Sequence, residues 1–148
     1  MNILFFLTPK AEVVSVCDKD NLKQVLETLE QHKFSSVPIV NEYGNYLGTV
    51  KEGDLLWYLN DKKSFDGNLL ENTNIMDIPR RLTNETVKVD ANVVDLFHIL
   101  ISQNFVPVID DANIFIGIIK RRDVISYAHK RLKEEEMQEE SSKEMFDL

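Results

Sequence analysis

The chain has 148 residues, 43% of them hydrophobic and 28% charged, which suits one globular domain or two small halves sharing a core. Its formal net charge of −8 argues against non-specific binding to nucleic acid or anionic membrane, which needs clustered lysine and arginine. A single cysteine, Cys17, excludes an intramolecular disulfide and fits a reducing, cytoplasmic setting.

The opening "MNILFFLTP" is apolar, but it lacks a basic start and meets Pro9 too early for a signal peptide or a membrane span. "EVVSVC" (12–17) alternates as an extended segment. "NLKQVLETLEQHKF" follows from Asn21, with Leu22, Val25, Leu26 and Leu29 at the i, i+3, i+4, i+7 spacing of an amphipathic helix and Asp20 as its expected N-cap. The short apolar run Val37–Val40 predicts a buried strand, "NEYGN" a turn, "YLGTV" a second strand, and "EGDLLWYL" a second helix with Asp54 near its start. Residues 61–74, rich in Asn, Asp, Gly and Ser, read as a linker.

The same order then recurs. "ETVKVD" is extended and "NVVDLFHILISQNF" is helical, with Asp90 as the expected cap and Val93, Leu96, Phe97 and Leu100 on the apolar stripe. "VPVIDDANIFIGIIKRRDVISY" from Val106 aligns without a gap on "VPIVNEYGNYLGTVKEGDLLWY" from Val37, at a constant offset of 106 − 37 = 69. Upstream the offset is 92 − 21 = 71, so "FSSVP" in one copy answers "FVP" in the other. An internal repeat of this length dictates the fold. Each copy is helix–strand–strand–helix, and about 60 residues bury too little to be stable alone, so the expectation is an α/β (α+β) pair packed about a pseudo-twofold axis. Residues 133–148 carry seven acids and two lysines, a net of 2 − 7 = −5, and read as a solvated helical extension that frays.

"VPIV" with "YLGTVxxxDLL", and "VPVI" with "FIGIIxxxDVI", each behind an amphipathic helix, resemble the CBS domain, which occurs as a tandem pair. The resemblance covers roughly residues 7–132 and also takes in "LTPK" at Leu7 and "IMDIPRR" at Ile75 as the segments that open the repeats. It divides the chain into a first repeat over 1–60, the linker 61–74, a second repeat over 75–132 and the acidic tail.

Catalysis has little to stand on. His32, His98 and His129 lie far apart in no metal-ligand spacing, and neither a phosphate-binding glycine loop nor a nucleophile elbow is present. Binding is better served. An aspartate at a helix start beyond a strand accepts both hydroxyls of a ribose, and the free N–H groups beside it hold an anion; the same aspartate serves equally as a plain N-cap. The resemblance implies clefts between the repeats for an adenine nucleotide (AMP, ADP, ATP or cyclic di-AMP). It makes Asp54 and Asp123 the ribose acceptors and has Val37, Pro38, Phe105, Val106 and Pro107 flank the bases, with Thr8 and Ile78 joining from the opening segments. The family's Thr or Ser three residues before the aspartate is Lys51 here, and Lys120 in the second copy. The repeated exchange suits a phosphate contact. The alternative is an interaction module whose clefts have degenerated.

Lys120, Arg121 and Arg122, with Arg80 and Arg81, predict the stronger site in the second repeat, since an arginine cluster holds phosphate, although two or three of the five are expected to pair with surface acids. "VVDLFHILI" (93–101) is apolar almost all round, which predicts a self-association surface shared with Trp57, Tyr58 and Tyr127. By the resemblance the chain is a homodimer that senses a nucleotide and signals through an effector protein, with no resident cofactor or metal.

Overall fold

The computed structural model describes residues 1–147. Helix α1 (Leu22–His32) begins where Asn21 and Gln24 cap one another: the Asn21 side chain accepts the Gln24 N–H at 2.9 Å and the Gln24 side chain accepts the Asn21 N–H at 2.8 Å. This reciprocal box satisfies two of the donors orphaned at a helix start. The cap therefore falls one residue later than expected, and Asp20 instead accepts the Cys17 N–H at 2.9 Å. In the second copy Asn92, not Asp90, caps α4 (Val93–Leu100) by accepting the Val94 N–H at 3.0 Å.

Each helix leads into a hairpin, β2 (Ser36–Val40) with β3 (Tyr46–Lys51), and β5 (Phe105–Ile109) with β6 (Phe115–Lys120). The two turns share one device. Asn41 Oδ1 accepts the N–H groups of Tyr43 and Asn45, and the equivalent Asp110 Oδ1 accepts those of Ala112 and Ile114. Such side-chain turns suit asparagine and aspartate. Helices α2 (Glu52–Lys62) and α5 (Arg121–Phe146) follow the hairpins directly. The 61–74 linker is only partly irregular, because α2 reaches Lys62 and a short α3 (Gly67–Asn72) lays Leu69 and Leu70 against the first core. The acidic tail continues α5 without a break as far as Phe146.

The opening segments exchange places. Strand β1 (Leu7–Pro9) pairs with β6, the far repeat, and the larger sheet runs β1-β6-β5-β4, where β4 (Val87–Lys88) lies parallel to β5. Ile3 and Phe6 accordingly pack in the core of Leu96, Val106 and Ile119. Conversely Ile75 and Ile78 pack in the core of Leu22, Val37 and Leu55. Each half thus completes its core with the other half's leader. Gly117 permits the crossing: a Cβ there would lie 2.2 Å from the Thr8 carbonyl oxygen.

A third apolar cluster, Tyr46, Phe105, Phe115 and Ile118, joins the halves. Around it the Phe115 N–H donates to the Gly44 carbonyl at 2.8 Å, and the Tyr46 N–H donates to the Asn113 carbonyl at 3.2 Å. Gly44 and Asn113 are equivalent positions, as are Tyr46 and Phe115, so the contact is reciprocal, as a pseudo-twofold requires. Helix α4 differs from expectation. Leu96, Ile99 and Leu100 are buried in the monomer core, whereas Val94, Phe97 and Ile101 face outward, 67%, 46% and 79% exposed. Among the described residues no helix is long and apolar enough to cross a membrane.

Candidate functional site

The repeats leave a cleft of about 590 Å³ between them, formed where β1 crosses β6. Its apolar surface is Pro38, Phe34, Phe105 and Ile118, and Thr8 faces it from β1. Lys120, Arg121 and Arg122 line its rim from the junction of β6 and α5. Among the described residues none of these three reaches a carboxylate within ion-pair distance, contrary to the expected surface pairing. Val13 and Val14 extend the apolar wall, and Glu12 and Lys33 also line the cleft; with four cations against one acid, the slot is shaped for a flat, anionic ligand.

Arg121 has structural work as well. Its guanidinium donates to the Asn104 side-chain oxygen and, at 3.4 Å, to the Leu100 carbonyl. Asn104 in turn donates to the Ser35 hydroxyl at 2.8 Å, which joins the two repeats at the cleft. Lys120 and Arg122 are therefore the more available charges. Asp123 stands half-buried at the third position of α5; it is not among the residues that line the cleft, and among the described residues its carboxylate accepts no hydrogen bond.

The equivalent aspartate is differently placed. Asp54 is buried, 5% exposed. One oxygen accepts the Lys51 N–H at 3.0 Å and the other accepts the Arg81 N–H at 3.0 Å. A smaller cavity, about 340 Å³, is lined by Lys51, Gly53, Asp54, Arg81 and Leu82. Arg80 lies over Gly48, where a Cβ would come within 3.1 Å of its Nε, and its Nη1 is buried without a partner. The Arg80 charge also reaches Tyr46. Burial pushes the Tyr46 phenol above its ordinary range, against the opposing pull of its hydrogen bond with Thr49 (2.6 Å) and of Arg80.

Several expectations are corrected by this geometry. The five basic residues do not share a cleft: the leader exchange puts Arg80 and Arg81 beside Asp54, and Lys120 to Arg122 beside Thr8. Val37 and Val106 are wholly buried in the separate cores and Ile78 nearly so, which leaves them behind the cleft surface. Pro107 is also buried and pairs with Ile118 in the sheet. Tyr127 packs edge-on against Phe5 and Phe6, and Tyr58 packs against the first core. Phe34, Ser35 and Asn104 were not anticipated as cleft residues. Their signal was the two-residue difference "FSSVP" against "FVP", which falls where the cleft opens.

The profile of the CBS domain matches residues 7–61 and again 75–130, and the chain belongs to that family. An uncharacterized protein of Methanocaldococcus jannaschii is 30% identical over 122 residues; the match takes in 81% of this chain but only 41% of that protein's length. Among solved structures, a CBS domain protein of Streptococcus pneumoniae superposes with a TM-score of 0.78 at 26% identity, covering 86% of each chain. CbpB in complex with c-di-AMP superposes at 0.80 and 24% identity, covering 93% of this chain and 91% of that one. CBSX2 in complex with AMP superposes at 0.70 and 23% identity, covering 87% and 96%.

Proposed function

We propose that the protein is a regulatory, non-catalytic CBS pair that binds an adenine nucleotide between its repeats in the cytoplasm and signals through an effector protein. The observation that carries this reading is the apolar slot of Pro38, Phe105 and Ile118, with Lys120 and Arg122 at its rim unpaired among the described residues. Asp123, one residue beyond Arg122, lies outside the lining of the ligand-free cleft; its half-buried carboxylate accepts no hydrogen bond among the described residues, and we assign it the ribose once a nucleotide has entered. The complexes of similar proteins with c-di-AMP and with AMP support an adenine-nucleotide ligand. The outward apolar face of α4 supports a homodimer as the signalling form. Binding shifts the population of dimer arrangements that an effector recognises.

The deciding experiment is thermal unfolding with AMP, ADP, ATP and cyclic di-AMP. A ligand at 100 times its Kd adds about 2.7 kcal/mol, a rise of about 5–10 °C for a chain of this size. A rise with one of them names the signal. No rise with any supports the second reading, an interaction module with empty clefts, for which the filled acceptors of Asp54 already speak.

A further inference from the structure

The two leaders that close the clefts are held in different ways. β1 is a sheet strand, paired with β6 from Leu7↔Ile119 through Pro9↔Gly117. Its counterpart, the run Pro79–Leu82, belongs to no strand. Two contacts of Arg81 hold it on α2: its N–H donates to Asp54 at 3.0 Å, and its guanidinium lies 5.4 Å over the ring of Trp57. Beside it the Arg80 Nη1 is buried with no acceptor among the described residues.

We propose that Pro79–Leu82 is a displaceable cover on the Asp54 cleft, latched by Arg81, and that a nucleotide entering there releases Trp57. The proposal rests on the nucleotide reading above and adds a mechanism to it. Asp54 holds two N–H donors, of which the one from Lys51 is fixed by the start of α2. The Arg81 N–H comes from outside the helix, so a ribose hydroxyl that takes its oxygen displaces Arg81, while the Lys51 N–H stays on the other oxygen, whose second lone pair is open to the neighbouring hydroxyl. A phosphate arriving with that ribose supplies the acceptor that Arg80 Nη1 lacks. Displacing an irregular segment breaks few backbone bonds, whereas displacing β1 breaks a sheet edge. Once the Arg81 backbone leaves Asp54, its guanidinium loses its position over Trp57, which is already 46% exposed. The Asp54 cleft therefore acts as a switch that uncovers an aromatic surface, while the cleft rimmed by Lys120 and Arg122 binds without such a change.

Trp57 is the only tryptophan in the chain, so its emission reports the latch directly. The experiment titrates AMP, ADP, ATP and cyclic di-AMP into the wild type, Asp123→Ala and Arg81→Ala, following heat and Trp57 emission in parallel, with acrylamide quenching at each end point. Each variant carries its own expected result. Asp123→Ala still binds, its emission moves to the red, and quenching rises on saturation. Ligand-free Arg81→Ala already shows the red-shifted emission, and its Asp54 cleft binds several-fold more tightly because less of the cover must be displaced. Heat in Asp123→Ala without an emission change overturns the cover alone. So does loss of all binding in Asp123→Ala, or an unchanged emission in ligand-free Arg81→Ala. No heat in the wild type with any of the four overturns the nucleotide reading and the cover together.

Discussion

The rings of Tyr46 and Phe115 lie 6.3 Å apart and 22° from parallel, and they occupy the same position in the two repeats. A residue near a twofold axis meets its own equivalent, so this pair marks the axis. Phe115 is 2% exposed and contacts both halves. Phe115→Ala is expected to cost about 3–5 kcal/mol, the usual loss for a large buried aromatic, read as a lower urea midpoint. A loss below about 1 kcal/mol would show that the seam contributes little.

Tyr46 adds a pH dependence. Burial holds its phenol protonated to higher pH than an exposed tyrosine. The folded pKa is raised, so the stability it contributes is complete below the ordinary tyrosine value of about 10 and is lost as pH climbs through the folded value. Stability is therefore expected to fall on the alkaline side, and Tyr46→Phe to fall less there. In an absorbance titration of the wild type against Tyr46→Phe, the difference signal should appear above the ordinary tyrosine range; a difference confined to that range would contradict the burial.

Gly117 tests the leader exchange. A methyl group there meets the Thr8 carbonyl oxygen, a backbone atom that cannot turn aside. Gly117→Ala should push β1 off β6 and cost about 1–3 kcal/mol by overpacking. Hydrogen exchange at Leu7–Pro9 should speed up while β2 and β3 stay protected. Uniform protection across both sheets would mean the crossing relaxes without strain.

How far the sequence carried the reading depended on what kind of signal each feature left. The constant 69-residue offset made the two hairpins and their helices legible, because packing forces the same apolar positions twice. The leader exchange left no such mark. "LTPK" and "IMDIPRR" read as openings of the repeats that follow them, and nothing in their composition says which half they pack on. That one ambiguity misplaced Arg80 and Arg81, and with them the charge argument for a stronger second site. Similarly "VVDLFHILI" showed an excess of apolar residues but not its phase. Ile99 faces the core, and Phe97, aligned with Leu26, faces out. Helical phase is settled by the neighbours a helix packs on, which a single sequence does not contain.

The two aspartates differ in their hydrogen bonding: Asp54 is engaged and, among the described residues, Asp123 is not. Asp54→Ala removes a buried acceptor and orphans the N–H groups of Lys51 and Arg81, so it should lower stability by about 1–3 kcal/mol. Asp123, half-buried and without a bonded partner among the described residues, should be replaceable with a change within about 0.5 kcal/mol. For nucleotide affinity the order reverses. Asp123→Ala should weaken binding by tenfold or more, against a smaller loss for Asp54→Ala, whose carboxylate is already engaged. Calorimetry paired with urea unfolding separates the two effects, and equal affinity losses would refute the asymmetry.

Self-association has its target on the outward face of α4. Val94, Phe97 and Ile101 fall at a spacing of three and four on one side of α4, opposite the buried Leu96, Ile99 and Leu100. Three large apolar side chains on one helix face lose solvent most simply against a second copy of the same face, the isologous contact of a twofold dimer. Ile99→Glu is a poor probe, since a buried charge would unfold the monomer before it could report on an interface. Phe97→Glu and Ile101→Glu alter only the outward face. Each should leave the unfolding midpoint of a dilute sample within about 0.5 kcal/mol and convert a dimer to a monomer in light scattering. A dimer that persists through both substitutions would move the interface to another face, with the exposed Leu56 and Trp57 of α2 the next to be tested.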